Sequence, residues 1–184
     1  MRQGVQWKIR YNWGKLMQQN EPSYSEKQRF RQWWIWLSIL ISPAFFLGIV
    51  LQQIVLGSPV DYVMVILAIV LGGGLPLFIY NMGLDTEVRD CGVCIRFKPF
   101  HRKWIVIRLD SVMKAETWTY SPLKDYGGWG IRYGRNAKAY NVSGNKGVML
   151  TLTDEKNVMI GSSNHEALCS AINERLSSEY VGYS

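Results

Sequence analysis

Cys91 and Cys94 are separated only by a Gly-Val pair, a spacing that serves zinc binding and disulfide exchange. A zinc site needs a second pair of ligands, and a thioredoxin-like site needs a helix directly after the motif. The residues after Cys94 instead alternate as a strand, and positions three apart on a strand face opposite sides. We therefore expect Cys91 and Cys94 to be reduced structural cysteines, and Cys169 to be an ordinary small residue of a helix.

The other residue types that support catalysis are sparse. His101 and His165 are the only histidines, and neither has a nucleophile or a metal ligand beside it in the sequence. Asp85, Glu87 and Asp90 form a short acidic cluster, which we interpret as a solvated linker rather than an acid–base pair. No enzyme template is met, so the sequence predicts a non-enzymatic protein with no cofactor and no metal.

The most unusual stretch combines three glycines with two aromatic residues around Trp129. Glycines permit positive φ and close backbone approach, and a tryptophan offers a large rigid contact surface. Basic residues follow, and exposed amides in such turns can form an anion-binding nest. The stretch predicts either a binding loop or a long β-turn whose Trp129 fills the core. The candidate binding residues are Tyr126, Gly127, Gly128, Trp129, Gly130, Arg132, Arg135, Lys138 and Lys146.

The charges of the chain are unevenly distributed along its 184 residues. The formal net charge of +7 divides into +5 for residues 1–32, −1 for residues 33–82 and +3 for residues 83–184. Residues 33–82 contain a single charged side chain, Asp61. A soluble protein with one core does not sort its charges this way, and the composition excludes the disordered, collagen-like and disulfide-stapled classes.

Two apolar runs, 33–56 and 62–82, account for this uncharged region. At 1.5 Å per residue they span about 36 and 31 Å, enough to cross a hydrocarbon core of about 30 Å. The short link between them predicts a transmembrane helical hairpin, with a buried soluble hairpin as the alternative. Aromatic residues at one end predict an interfacial belt. These are Trp33, Trp34, Trp36 and Tyr80.

Gly72, Gly73 and Gly74, followed by Pro76, interrupt the second apolar run. Small residues let a neighbouring helix approach closely, and proline frees a carbonyl and can kink a helix. We interpret the three glycines either as a packing site for a partner membrane protein or as an irregularity within the hairpin. Neither run contains Lys, Arg, His or Glu, which argues against an ion path.

The basic residues predict the orientation of the hairpin. Seven Lys and Arg residues precede it, and none lies in the link between the two runs. The positive-inside rule then places both termini in the cytoplasm of a two-pass membrane protein.

The segment before the hairpin, residues 1–32, carries two patterns. Aromatic and aliphatic residues alternate with polar ones from Trp7 to Trp13, which predicts a half-exposed strand or a stretch on the anionic membrane surface. Ser23 and Glu26 match a capping box, so we expect a juxtamembrane helix that begins there and continues into the first span.

Residues 83–184 read as several alternating strands followed by one amphipathic C-terminal helix. Leu168, Ile172 and Leu176 recur every four residues on that helix. The fold class is therefore a membrane α-helical hairpin plus an α+β domain. Nucleic-acid binding is not expected, because this domain has 14 basic and 11 acidic residues and no recognition helix.

Three glycine-rich stretches, 120–132, 139–148 and 160–163, carry a family resemblance. They resemble motifs of an uncharacterised family of bacterial membrane proteins with two transmembrane helices and a pleckstrin-homology-like (PH-like) domain. The resemblance implies a PH-like antiparallel β-barrel closed by the C-terminal helix, in the bacterial inner membrane. It supplies no activity and no catalytic residues. The chain departs from the family pattern at Cys91 and Cys94.

Together these features predict a membrane-anchored PH-like binding or scaffold protein. Its partners would be the lipid bilayer and a membrane protein or a second copy on the cytoplasmic side. One alternative is an accessory or assembly factor of a larger membrane complex. Another is a sensor of anionic lipid headgroups that uses Arg132, Arg135, Lys138 and Lys146. An enzyme or redox protein that uses Cys91 and Cys94 ranks last.

Overall fold

The structure is a computed structural model that describes residues 21–59, 61–134 and 137–181. The alternating segment from Trp7 to Trp13 and the candidate binding residue Arg135 lie outside the described residues. The chain divides into two compact units. One comprises residues 29–82, and the other comprises residues 1–28 together with residues 83–184.

The unit of residues 29–82 contains two apolar helices. The first, α1, spans Trp33–Val55. The second spans Tyr62–Asn81 and consists of α2 at Tyr62–Ile69, a π-helical turn at Val70–Gly74 and α3 at Leu75–Asn81. Each helix is long and apolar enough to cross a membrane, and most of its side chains are exposed. The two predicted apolar helices are therefore confirmed.

The two helices run antiparallel. The Trp36 ring near the start of α1 lies 6.5 Å from the Tyr80 ring at the end of α3. At the opposite end, Asp61 caps α2 by accepting a hydrogen bond from the Val63 amide at 2.9 Å. The Asp61 amide in turn donates to the side-chain oxygen of Gln53 on α1, at 3.0 Å.

The π-helical turn coincides with the predicted irregularity. Pro76 has no amide hydrogen, and its ring clashes with the carbonyl of the residue four positions earlier, which is Gly72; the wider turn before the proline relieves this conflict. A Cβ at Gly72 would lie 3.0 Å from the Cβ of Pro43 on α1. At Gly73 and Gly74 a Cβ would have no described atom within 4 Å. Gly72 thus packs within the hairpin, whereas the other two glycines are open.

The predicted juxtamembrane helix is wrong, because residues Tyr24–Arg29 form a strand, β1. The Ser23 amide donates to the Val88 carbonyl at 2.9 Å, and the Gln28 side-chain amide donates to the Gly161 carbonyl at 2.7 Å. These long-range hydrogen bonds prevail over the local capping pattern. Glu26 accordingly binds groups near residue 162 and does not cap a helix of its own.

Strand β1 makes the larger unit discontinuous in sequence. It is the hydrogen-bonded neighbour of β2 (Gly83–Arg89), the first strand after the hairpin. The bond from Ser23, just before β1, to Val88 near the end of β2 fits an antiparallel pair. The two apolar helices are therefore inserted in the connection between two adjacent strands of one sheet.

The remaining strands complete two sheets. The first has the order β1-β2-β3-β4, and the second has the order β5-β8-β9-β7-β6. In the second sheet β7 and β9 are parallel, and the other neighbouring strands are antiparallel. The strands after β2 are β3 (Gly92–Lys98), β4 (Ile105–Ile107), β5 (Val112–Thr119), β6 (Gly130–Tyr133), β7 (Ala137–Asn141), β8 (Lys146–Leu152) and β9 (Asn157–Gly161).

The α+β class is confirmed, but the predicted closed barrel is not formed. The described strands belong to two separate sheets, and β4 and β6 are edge strands. One physical reason is the length of β4, which has only three residues and so offers few backbone groups to another strand.

The predicted acidic linker is also wrong, because β2 begins only two residues after α3 ends. Asp85 is 1% exposed on β2 and pairs with Arg96 and Lys98 of β3, both at 3.0 Å. Charged residues in this segment therefore lie in a sheet, where burial of Asp85 is compensated by two cations.

The C-terminal helix, α5, spans His165–Val181 and packs on β5 and β8; the short α4 spans Pro122–Tyr126. Leu168 and Ile172 of α5 are fully buried, as is Leu150 of β8, one of the two strands on which the helix packs. The helix begins after Asn164, whose side-chain oxygen accepts a hydrogen bond from the third helical residue. The predicted C-terminal amphipathic helix is thus confirmed.

Candidate functional site

A cavity of about 350 Å³ lies in the larger unit, between β4 of the first sheet and strands β7, β8 and β9 of the second. Its volume is at the lower end of the range of about 300–1,000 Å³ for ligand pockets. β4 is an edge strand of the first sheet, and all three of its residues line the cavity.

Most of the cavity wall is apolar. The aliphatic side chains of the wall come from four strands, β3, β4, β8 and β9. Of these wall residues, Ile95, Ile107, Leu152 and Val158 are buried, and Ile105 and Val106 are half-buried. Such a wall favours the apolar part of a ligand.

Two of the three cations that line the cavity are paired with acids. Arg108 binds Asp110 through two hydrogen bonds, one of them at 3.1 Å. Lys156 lies 2.7 Å from Asp154 in the turn between β8 and β9. All four side chains are partly or largely exposed, so these pairs contribute little to stability. Each acid does neutralise the charge of its partner, so Arg108 and Lys156 add no net charge to the cavity wall.

Lys138 of β7 is the third cation. Its ammonium lies 5.0 Å from the ring centroids of both Tyr133 and Tyr140. Within the described part of the chain, no carboxylate lies at ion-pair distance from it. Burial lowers the pKa of Lys138, but the phenol groups of Tyr140 and Tyr133 more than offset this, so the pKa lies above its usual value. The ammonium therefore stays charged at neutral pH.

Tyr140 provides a polar group in the cavity wall. It is only 2% exposed, and its ring lies 6.0 Å from that of His101. Burial raises the pKa of Tyr140 above its usual value, although the Lys138 ammonium opposes the shift. The phenol therefore remains protonated and able to donate a hydrogen bond.

The predicted loop around Trp129 is held by its own hydrogen bonds. The half-buried Trp129 donates its indole N–H to the Gly144 carbonyl at 3.2 Å. The Gly130 amide donates to the Asn141 side-chain oxygen at 2.8 Å. Three glycines take positive φ, with values of 69° at Gly127, 125° at Gly128 and 120° at Gly130. The glycines therefore have a geometric role here, and a binding role for the loop stays a prediction.

Tyr126 packs at the base of this loop. Its ring is edge-on to that of Tyr120 at 5.7 Å, and a Cβ at Gly134 would lie 2.7 Å from the Tyr126 ring. Tyr120 belongs to a buried cluster that also contains Ala139, Met149 and Met159. Tyr126 thus covers a small second core on the face of the sheet opposite to the cavity.

The basic candidates do not converge on one place. Arg132 pairs with Ala139 across the β6–β7 ladder, and Lys138 pairs with Tyr133, so Arg132 and Lys138 face opposite sides of the sheet. The Arg132 side chain returns to its own loop and donates to the Trp129 carbonyl at 3.1 Å. Lys146 is exposed at the start of β8. Of the candidate binding residues that the structure describes, Lys138 is the one that lines the cavity.

The expectation that Cys91 and Cys94 point apart is wrong. Cys91 lies in the turn between β2 and β3, so the alternation of a strand does not apply to it. A hydrogen bond from the Cys94 thiol lowers the pKa of Cys91 to about 7, and interaction with Cys91 together with burial raises the pKa of Cys94. Both cysteines are free thiols. No group of three or more His, Cys, Asp or Glu residues that could hold a metal occurs in the described ranges.

Sequence reasoning missed a second polar site, at Glu26. Its carboxylate accepts hydrogen bonds from the hydroxyls of Tyr24 at 2.7 Å and Ser162 at 2.6 Å, and from the amide and hydroxyl of Ser163. Burial raises the pKa of Glu26, but the hydrogen bonds from Ser162 and Ser163 outweigh it and leave the pKa below its usual value. The carboxylate joins β1 to the segment before α5. The only sequence signal is the period-two spacing of Tyr24, Glu26 and Gln28.

Comparisons with protein-family models, with curated proteins and with solved structures found no match to this chain. The resemblance based on the glycine-rich motifs therefore stays a prediction.

Proposed function

We propose that this chain is a non-enzymatic binding protein whose PH-like domain is anchored to the cytoplasmic face of the bacterial inner membrane. The observation that carries the proposal is the insertion of two apolar helices between the adjacent strands β1 and β2. Such an insertion attaches the domain to the membrane at two neighbouring points.

Strand pairing supports a two-pass topology. Adjacent strands lie about 4.8 Å apart, so the end of β1 and the start of β2 are close together. A helical hairpin whose two ends are held this close returns to the side of the membrane from which it started. The net charge of +5 on residues 1–32 favours the cytoplasm as that side.

Two features support a PH-like architecture. The described strands form two sheets, and a C-terminal amphipathic helix packs on the second of them. The glycine-rich motifs that carry the resemblance lie in the second sheet and its turns. The chain would differ from a closed PH-like barrel at β4, where the cavity opens.

The cavity supports binding rather than catalysis. It offers an apolar wall, one protonated phenol and one ammonium that lacks a carboxylate partner within the described part of the chain. These groups select a ligand by shape and charge. In the hairpin, the open positions Gly73 and Gly74 leave room for a helix of a partner or of a second copy.

Alkaline carbonate extraction of cell membranes tests the anchoring. We expect the chain to remain in the membrane pellet, and reporters fused to either terminus to be active only in the cytoplasm. Recovery in the soluble fraction would contradict the anchoring. A terminus outside the cytoplasm would contradict the topology.

Purification of the intact chain in a mild detergent tests the binding role in the membrane. We expect a stoichiometric partner or a second copy to elute with it, and we expect Gly73→Leu to weaken this association. Elution as a monomer without a partner after chemical cross-linking in cells would contradict the scaffold role.

A further inference from the structure

We propose that the cavity between β4 and strands β7–β9 binds a small carboxylate with an apolar chain, and that Lys138 pairs with the carboxylate. This inference rests on the proposed function, because it names the ligand class of the binding domain. It concerns a soluble ligand and does not require the membrane partner.

The charge distribution around the cavity favours an anion. Arg108 and Lys156 are balanced by Asp110 and Asp154. Lys138 adds one positive charge with no carboxylate at ion-pair distance among the described residues. One uncompensated charge matches a monoanion, and this favours a carboxylate over a doubly charged phosphate group.

The two tyrosines hold the ammonium in place. Its equal distance of 5.0 Å from the rings of Tyr133 and Tyr140 is the geometry of a cation–π contact on two sides. A lysine restrained in this way loses less side-chain entropy when it binds a ligand. Because its pKa is raised, Lys138 keeps its proton at neutral pH, and the protonated Tyr140 adds a hydrogen-bond donor.

The wall accounts for the apolar part of the ligand. Six aliphatic side chains from β3, β4, β8 and β9 surround a space of about 350 Å³. A space of this size fits a short acyl chain and is too small for most of a membrane lipid. The proposed ligand is therefore a free medium-chain carboxylate, and octanoate is a suitable probe.

The test uses the full chain in nanodiscs of zwitterionic lipid, with octanoate binding measured by titration calorimetry. Octylamine has the same chain with the opposite charge, and empty nanodiscs correct for partition into lipid. We expect octanoate to bind at least about tenfold more tightly than octylamine, which is the scale of one charge-assisted hydrogen bond.

Substitutions then locate the charge. We expect Lys138→Met to weaken octanoate binding about tenfold or more, and Lys138→Arg to retain most of the affinity. Lys124→Met is the matched control, because Lys124 is exposed on α4 and lies outside the cavity. Val106→Phe adds volume at the cavity wall and is expected to weaken binding without changing the preference for octanoate over octylamine.

Equal binding of octanoate and octylamine by the wild-type chain, or no binding of octanoate, overturns the inference without using any variant. Unchanged affinity in a folded Lys138→Met variant also overturns it. Failure of this test, with the chain still in the membrane pellet and still bound to a partner, leaves the proposed function intact. Failure of the membrane and partner experiments with selective octanoate binding rejects the membrane anchoring and the scaffold role but leaves the ligand site intact.

Discussion

The hairpin and the domain contain the same types of apolar side chain but expose them very differently. In the hairpin Leu40 is 61% exposed and Phe45 is 65% exposed, whereas in the domain Ile95 and Leu150 are 0% exposed. Apolar surface exposed at this density is unfavourable in water and needs an apolar environment. The domain is therefore stabilised by its own core, whereas the hairpin requires an apolar environment around it.

Truncation of one leucine in each region should affect the stability of the domain very differently. Leu150→Ala should lower the free energy of unfolding of the domain by about 2–5 kcal/mol, because it leaves a cavity in a packed core. Leu40→Ala should change the same quantity by less than about 0.5 kcal/mol. Native-state hydrogen exchange of domain amides, in nanodiscs, measures both. Equal effects would show that the two units do not have separate cores.

The domain contains buried and exposed ion pairs, and these should differ in how much they contribute to its stability. Asp85→Ala removes a buried carboxylate and should destabilise the domain by about 2–3 kcal/mol, because Arg96 and Lys98 lose their partner. Asp154→Ala removes the exposed partner of Lys156 and should cost about 0–1 kcal/mol. Denaturant titrations of the two variants compare them. A small effect of Asp85→Ala would contradict the burial of Asp85 between two cations.

Within the hairpin, Gly72 and Gly73 form a matched pair. Gly72→Leu should disturb the contact with Pro43 and destabilise the helix pair by about 1–3 kcal/mol through overpacking. Gly73→Leu should leave the helix pair unchanged, because a Cβ there meets no described atom within 4 Å. Cross-linking between cysteines placed on the two helices reports the packing. A larger effect of Gly73→Leu than of Gly72→Leu would contradict the observation that Gly72, and not Gly73, contacts Pro43 of α1.

A pH titration tests whether β1 belongs to the domain. The pKa of Glu26 is lowered on folding, so its contribution is fully present above the unfolded value near 4.5 and is lost as the pH falls through the folded value. Glu26→Gln should cost about 1 kcal/mol at pH 7 and progressively less at lower pH. Unfolding midpoints at several pH values give this difference. A difference that does not depend on pH would contradict the role of the carboxylate.

The sequence predicts the two apolar helices well and β1 poorly, for a physical reason. A run of apolar residues long enough to cross a bilayer is recognisable from length and composition alone. The partners of β1 are Val88, Gly161 and Ser162, which are more than 60 residues away, so the local match of Ser23 and Glu26 to a capping box prevails in a sequence analysis. Local patterns do not reveal such pairings.

The candidate site was only partly predictable, for a similar reason. The glycine–aromatic loop and its basic residues are visible as motifs in the sequence. Whether the basic side chains lie together depends on which face of the β6–β7 ladder each residue occupies. Lys138 appears in the sequence as one of several cations. Its position in a cavity depends on which strands the fold brings together around it, and these strands come from both sheets.

If the hairpin is an insertion in a self-contained domain, the domain should fold after the hairpin is excised. Residues 30–82 would be replaced by an Asn-Gly turn, which suits the connection of two antiparallel strands. We predict a soluble protein with the hydrogen-exchange protection of the native domain and no membrane association. A shortened protein that aggregates or lacks protection in β1 and β2, or that still sediments with membranes, would contradict the account.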